Sequence, residues 1–74
     1  MTEDIKVQEL YGIGKKYDVG CSRGQRISVV IRKDGRRELY SFETDAEEPT
    51  SVIELSDEQA RKLGAVLSGT YFSG

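Results

Sequence analysis

Apolar and polar residues alternate through most of the first 55 positions of the chain. A period of two is typical of strands that bury one face, and turn-forming residues separate the alternating segments. The third segment is the clearest, because Ile27, Val29 and Ile31 are β-branched residues that favour strands. The pattern predicts strands at residues 5–9, 16–21, 25–32, 36–42 and 51–55.

Glycine-containing turns are predicted between these strands. Two glycines within residues 10–14 indicate a tight bend after the first strand. Residues 22–24 suit a three-residue hairpin loop in which Gly24 is left-handed. Asp34 and Gly35 are a strong hairpin signal, because a type I′ turn needs positive φ at both central positions. A two-residue loop there would fix the register of the third and fourth strands.

This register predicts how the two faces of the sheet are filled. Arg32 would lie opposite Arg37, where like charges repel each other. Val30 would lie opposite Leu39 on a half-apolar face that another part of the chain could cover. The apolar face would carry Ile27, Val29, Ile31, Tyr40 and Phe42.

One helix is predicted at about residues 57–68, after an acidic loop. Ser56 can accept a hydrogen bond from the backbone of Gln59, whose amide can reach back, which is a capping box. Gly69 is a C-terminal stop, and Gly64 suggests close packing of the helix on the sheet. An apolar stripe runs along Ala60, Leu63 and Leu67. The predicted fold is α+β, with a small antiparallel sheet of about four to five strands and one C-terminal helix packed on it.

A chain of 74 residues makes a single domain, 1–74, with a thin core. A domain of this size buries only about 60% of the surface that its unfolded form exposes, so a disulfide, a metal or a partner adds needed stability. Cys21 is the single cysteine and histidine is absent, which excludes an internal disulfide and leaves too few ligands for structural zinc. Burial against a partner is the remaining source of stability.

The N-terminal residues are acidic and precede no long apolar run. A secretory signal needs a basic start, and a membrane span needs about 20 apolar residues. The domain is therefore expected to be cytoplasmic.

The sequence offers no set of catalytic groups. Histidine, the usual general base, is absent, and Cys21 is expected on the core face, where a cysteine acts as a small apolar residue. Residues 12–16 lack the spacing of a phosphate-binding loop. The acidic loop at 43–50 does not match a calcium-binding EF-hand. We therefore expect no enzyme activity, no cofactor and no metal site.

Positive charges concentrate in the middle of the chain although the net charge is −2. Facing arginines on a hairpin would be relieved by an anion: a phosphate, an anionic lipid headgroup or an acidic partner surface. Nucleic-acid binding by a free-standing small β-domain is the alternative function, but the overall charge is negative and no aromatic ladder is available to stack bases. The basic hairpin contributes Arg32, Lys33, Arg36 and Arg37.

Four segments stand in a recognisable order: LYGIGKKY at 10–17, SRG at 22–24, DGRRELY at 34–40 and LSDEQARKLGAVLSG at 55–69. Together they resemble the N-terminal domain of the regulatory subunits of bacterial cation/proton antiporters, the TrkA-C-type potassium-transport regulators. The resemblance runs from about Ile5 to Phe72. The family usually has Leu-Pro-Gly-x-Gly near the first bend, and this chain has Tyr11 in place of the proline.

The resemblance implies a non-catalytic domain of a cytoplasmic regulatory subunit that docks on a membrane potassium/proton antiporter at the inner membrane and gates it. It also implies homodimerisation and a C-terminal RCK-type domain, absent from residues 1–74, in which ligand sensing (cyclic di-AMP in some members) is expected. No nucleic-acid partner is expected. The hypothesised partner contacts are Arg32, Lys33, Arg36, Arg37, Val30 and Leu39.

Overall fold

The computed structural model describes residues 5–71 and shows a five-stranded sheet followed by one helix. This confirms the predicted α+β fold and the predicted extent of the helix. The elements are β1 (Ile5–Leu10), β2 (Gly14–Gly20), a 3₁₀ turn (Ser22–Gly24), β3 (Arg26–Arg32), β4 (Arg37–Phe42), β5 (Ser51–Leu55) and α1 (Asp57–Ser68). The far end of the family resemblance, Phe72, lies outside the described residues.

The strands form a meander, in the order β1-β2-β3-β4-β5, with each strand antiparallel to its neighbours in sequence. At one end of the sheet lie the β1–β2 turn, the β3–β4 turn and the start of α1. At the other end lie the 3₁₀ turn and the β4–β5 loop. We call these the turn end and the loop end.

The β1–β2 turn depends on glycine. Gly12 has a φ of +78° and Gly14 a φ of +153°, in a region that L side chains rarely adopt. A Cβ atom on Gly14 would also overlap the carbonyl oxygen of Ile31 in the neighbouring strand. Glycine at position 14 therefore lets β2 begin in close contact with β3, and it explains the bend that the sequence predicts.

The β3–β4 hairpin has three loop residues instead of two, so the predicted register was wrong. The Gly35 N–H donates to the Arg32 carbonyl at 3.0 Å, and the Arg32 N–H donates to the Arg36 carbonyl at 2.9 Å. Gly35 takes a left-handed φ of +97°, as the last residue of three-residue hairpin loops does. Asp34 stabilises the longer loop, because its Oδ1 accepts a hydrogen bond from the Arg36 N–H at 3.0 Å.

The shift of one residue moves every β4 side chain to the other face of the sheet. Arg32 does not face Arg37, and Val30 lies opposite Glu38 instead of Leu39. Tyr40 and Phe42 consequently leave the face on which they were predicted. The face under the helix, the helix face, carries Ile27, Val29, Ile31, Arg37, Leu39 and Ser41 on these two strands, and the opposite face, the loop face, carries Ser28, Val30, Tyr40 and Phe42.

The loop face holds the most buried of the described residues. Ser28 is 4% exposed and Val30 is 6% exposed. The acidic β4–β5 loop folds over this face, where Arg26 Nη2 donates to the Ala46 carbonyl at 2.8 Å. Pro49 of the same loop borders the hollow that Val30 lines. The acidic loop is thus the part of the chain that covers the half-apolar face.

The helix termini match the sequence prediction, but its packing is looser than predicted. Gln59 N–H donates to Ser56 Oγ at 3.1 Å, and Ser56 N–H donates to Gln59 Oε1 at 2.9 Å, which completes the capping box. Gly69 ends the helix with a φ of +79°. Apart from its chain neighbours and the backbone of its own helix, nothing lies within 4 Å of a Cβ built on Gly64, so the expectation of close packing against the sheet was wrong. Leu67 is 77% exposed although it belongs to the predicted apolar stripe.

Cys21 is exposed, contrary to the expectation that it lies on the core face. β2 ends at Gly20, and the Cys21 N–H donates to the Gln25 carbonyl at 2.8 Å, which closes the turn at the loop end. Cys21 therefore lies beyond the strand whose alternation suggested its burial.

Candidate partner-contact surface

The hypothesised contact residues lie in three different places. Lys33 and Arg36 are exposed at the turn end, with the half-buried arginines of the hairpin beside them. Val30 is buried on the loop face and is not accessible to a partner. Leu39 is half-buried on the helix face. Val30 and Leu39 therefore do not share one surface patch, and contact of the remaining residues with a partner stays a prediction.

Arg32 is paired with a carboxylate within the sheet. Its Nη1 lies 3.0 Å from Glu38 Oε2, and Glu38 Oε1 accepts a hydrogen bond from the Tyr40 hydroxyl at 2.9 Å. The hydrogen bond to a negative carboxylate favours the protonated phenol and raises the pKa of Tyr40. The like-charge repulsion predicted for this hairpin does not arise, because Arg32 does not face Arg37 and pairs with a glutamate of the same chain.

Arg36 pairs with two carboxylates on the surface. Its Nε lies 2.9 Å from Asp34 Oδ2, and its Nη1 lies 3.3 Å from Glu54 Oε2 on β5. The backbone N–H of Arg36, and secondarily its guanidinium, donate to Asp34 and lower the pKa of that carboxyl. The pairing holds the guanidinium along the hairpin.

Arg37 connects the sheet to the helix. Its Nη1 lies 2.8 Å from Asp57 Oδ1 and also donates to the Gly35 carbonyl. Asp57 Oδ2 in turn lies 2.8 Å from Arg61 Nε, one helical turn further on. The hydrogen bonds from Arg61 and Arg37 lower the pKa of Asp57, and Asp57 raises the pKa of Arg61. Arg37 therefore has a structural partner already.

Lys33 is the hairpin cation that no ion pair occupies within the described part of the chain. Its backbone N–H donates to the Ile13 carbonyl at 2.8 Å, which brings the β3–β4 turn against the β1–β2 turn. On that second turn Tyr11 is 95% exposed and Ile13 is 41% exposed. We call Tyr11, Ile13 and Lys33 the tip surface.

Sequence reasoning missed two of the three tip residues. Tyr11 and Ile13 alternate with glycines, and the glycines indicated only a bend. The available signal was an aromatic and a β-branched residue inside a turn, where small and polar residues are usual. An apolar turn that is not folded back onto the sheet is a candidate for contact with another molecule.

A polar hollow of about 470 Å³ lies on the loop face towards the loop end. Lys16 Nζ lies 3.8 Å from Asp18 Oδ1, and the same oxygen accepts a hydrogen bond from Ser28 Oγ at 2.5 Å. The Arg26 guanidinium lies 4.7 Å from the centre of the Phe42 ring, as in a cation–π contact. These side chains pair with one another, so we assign the hollow to the internal polar packing of the sheet.

Residues 5–71 show no cluster of three or more side chains suited to holding a metal ion. Over the same residues, no helix has the length and hydropathy required to cross a membrane. The tip presents an exposed aromatic residue, and its lysine has no ion pair among the described residues.

The fold defines this chain as a small α+β domain built on a five-stranded meander with one helix. The family model for the N-terminal domain of the K(+)/H(+) antiporter subunit KhtT matches residues 3–71. The chain belongs to this family. The match supports the resemblance to cation/proton antiporter subunits that the sequence segments carry.

Three relatives span most of this chain. The K(+)/H(+) antiporter subunit KhtT of Bacillus subtilis is 39% identical over 70 residues, which are 93% of this chain and 42% of the relative. The uncharacterized protein YrvC of the same organism is 41% identical over 66 residues, 88% of this chain and 40% of its own length. The ammonium/H(+) antiporter subunit AmhM of Alkalihalophilus pseudofirmus is 37% identical over 62 residues, which are 82% of this chain and 37% of the relative. The chain thus corresponds to roughly two fifths of each relative.

Proposed function

We propose that this chain is the non-catalytic N-terminal domain of a regulatory subunit of a cation/proton antiporter, and that it docks on the membrane subunit through the tip surface. The family membership is the observation that supports the antiporter, since two relatives are named as K(+)/H(+) and ammonium/H(+) antiporter subunits. The subunit acts from the cytoplasmic side and gates transport through a conformational change of the assembly.

The chemistry of the tip surface suits a docking role. Tyrosine combines a large apolar ring with a hydroxyl group and is enriched among the residues that dominate protein interfaces. Tyr11 is 95% exposed, so it can enter a pocket of a partner without disturbing the sheet. Lys33 adds a positive charge free of any ion pair in the described residues, which favours an acidic rim on the partner.

The paired arginines have a supporting role in this proposal. Arg32, Arg36 and Arg37 are each held by a carboxylate of the same chain, so they stiffen the turn end on which the tip sits. The same pairing leaves fewer free cations for phosphate groups, which argues against the alternative of nucleic-acid binding. Ligand sensing is proposed for a TrkA-C or RCK-type domain outside residues 1–74, and no residue of this chain is assigned to it.

Co-purification tests the docking directly. The protein that contains this domain is co-expressed with the antiporter membrane subunit from the same genome, and the amount retained on that subunit in detergent is measured. Tyr11→Ala and Lys33→Glu are each expected to reduce the retained protein about tenfold, the size of a moderate interface contact of about 1.4 kcal/mol. Cation-driven proton movement in inside-out vesicles should lose its dependence on the subunit in parallel.

Arg23→Glu is the matched control. Arg23 is an exposed basic turn residue like Lys33 but lies at the loop end. It should leave retention unchanged. Equal retention of wild type, Tyr11→Ala and Lys33→Glu would remove the tip from the interface. Failure of the wild-type protein to associate at all would refute the antiporter partner.

A further inference from the structure

Strand β1 has an edge that pairs with no other strand in the described part of the chain. It stands first in the strand order, and β2 is its one neighbour there. All six of its residues are in continuous register with β2, so the strand is regular and contains no bulge. Its sequence has no proline to interrupt pairing. A regular, unpaired edge of this kind is a template on which a further strand can form hydrogen bonds.

The hydrogen bonds of the neighbouring strands show which backbone groups of β1 point outward. At one end of β2, the Lys33 N–H donates to the Ile13 carbonyl at 2.8 Å. At the other end, the Cys21 N–H donates to the Gln25 carbonyl at 2.8 Å. Hydrogen-bonded pairs alternate along an antiparallel ladder, so the odd-numbered residues of β2 bond to β3 and the even-numbered ones bond to β1. The β1 residues whose backbone groups point outward are therefore Ile5, Val7 and Glu9, and we call these groups, with the side chains beside them, the β1 edge.

The side chains of the β1 edge indicate the chemistry of a sixth strand. Ile5 and Val7 lie on the helix face and are more than half exposed. Lys6 lies between them on the loop face and has no ion pair in the described part of the chain. Glu9 is directly opposite Lys15, so a positive charge already faces it. A strand with apolar residues on the helix face and an acidic residue on the loop face is complementary to this edge.

The other edge of the sheet, along β5, is less suited to pairing. The Arg32 N–H donates to the Arg36 carbonyl at 2.9 Å, so by the same alternation the odd-numbered residues of β4 bond to β5. Val52 and Glu54 are the β5 residues that point outward as a result. The Glu54 side chain pairs with Arg36, and α1 packs against this strand. β1 therefore offers the longer and more accessible edge.

We propose that an extended segment of the antiporter membrane subunit pairs with the β1 edge as a sixth strand. This inference rests on the proposed docking of the tip surface, because β1 ends at Leu10 and continues directly into Tyr11 of that surface. A subunit in contact with Tyr11 lies close to the nearest outward backbone group, at Glu9. Backbone pairing supplies the affinity, and alternating apolar and acidic side chains supply the specificity. The tip and the β1 edge then form one continuous docking surface.

Proline substitution tests the pairing in the co-purification assay. Val7→Pro removes an outward N–H that no bond within the sheet uses, and proline is tolerated at such edge positions. It should reduce the protein retained on the membrane subunit by about tenfold, the size of one lost interface contact. Val52→Pro is the matched control, because it removes an outward N–H from the other edge, and it should leave retention unchanged. Lys6→Glu should reduce retention as Val7→Pro does, whereas Arg23→Glu should not.

Hydrogen exchange reports the same pairing without any substitution. In the free protein, β2 should protect the amides of Lys6 and Gln8, whereas those of Val7 and Glu9 should exchange rapidly. Addition of the membrane subunit should slow the exchange of Val7 and Glu9 by at least about tenfold. Unchanged exchange at these two amides in a complex that forms would overturn the inference.

The outcomes separate this inference from the docking on which it rests. Loss of retention in Tyr11→Ala, with full retention in Val7→Pro and Lys6→Glu, would overturn the edge and leave the tip in place. Equal loss in Val7→Pro and Val52→Pro, with circular dichroism showing both variants folded, would also overturn it. A wild-type protein that associates with no membrane subunit would instead refute the proposed docking itself.

Discussion

Asp57 joins the first turn of the helix to the sheet through an ion pair with Arg37. Its two carboxylate oxygens accept hydrogen bonds from Arg37 on β4 and from Arg61 within α1, both at 2.8 Å. It also stands in the first turn of the helix, where a negative charge interacts favourably with the helix dipole. The carboxylate therefore contributes both to the connection with the sheet and to the first turn of the helix.

Asp57→Asn is expected to lower the free energy of unfolding in a pH-dependent way. The folded protein lowers the pKa of Asp57, so its contribution is complete above the ordinary aspartate value of about 4 and is lost as pH falls through the lower folded pKa. Urea unfolding of both proteins between about pH 2 and pH 7 measures the difference. That difference should be constant above about pH 5 and shrink in acid. A difference independent of pH would show that the charge of Asp57 does not act.

Individual exposures were the hardest property to predict from the sequence. Cys21 continues the alternation of Tyr17 and Val19, yet it is exposed because the strand stops one residue earlier. Tyr11 lies outside any alternating segment, so no sequence pattern predicted that its side chain is exposed. Alternation describes residues inside a strand and carries no information about where the strand ends.

At the scale of elements, the β3–β4 hairpin shows how a correct element can be given a wrong register. Asp-Gly suits a two-residue loop, and both strands were located correctly. The side chain of Asp34, bonded to the Arg36 N–H, favours a loop one residue longer. The sequence is compatible with both the two-residue and the three-residue loop. The alternation of apolar residues could not distinguish the two registers, because Val30 and Leu39 made both faces of the hairpin partly apolar.

The helix is the element whose ends could be predicted from local sequence signals alone. Its capping box and its glycine stop are local in sequence, and both were predicted. Ser56→Ala should remove one half of the capping box and lower the free energy of unfolding by about 1 kcal/mol. Chemical unfolding followed by circular dichroism at 222 nm measures this loss.

Ser68→Ala provides the comparison at the other end of the same helix. Ser68 Oγ is exposed and donates to the Ala65 carbonyl at 3.2 Å, outside any capping box. Its loss should change stability by less than about 0.5 kcal/mol, as is usual for surface substitutions. Equal effects of the two alanine variants would mean that the capping box adds nothing to the stability of the domain.

At the scale of the whole molecule, the sheet has two differently covered faces. The loop face is closed by the chain's own acidic loop, whereas the helix leaves much of the other face accessible. The sequence indicated the fold class, because each strand and the helix have local patterns. It could not indicate how completely the helix covers the sheet, since that depends on the angle at which the helix leaves Leu55.

The strict sequential order of the strands has a consequence for how the chain is made. Each strand needs only the strand synthesised just before it, and even the most widely separated partners, such as Gly14 with Arg32 and Arg37 with Leu55, belong to consecutive strands. Contacts of such short range favour rapid folding. As the polypeptide leaves the ribosome, every new hairpin can therefore be added to the edge of a sheet that already exists, and the helix, which emerges after all five strands, finds its docking site complete.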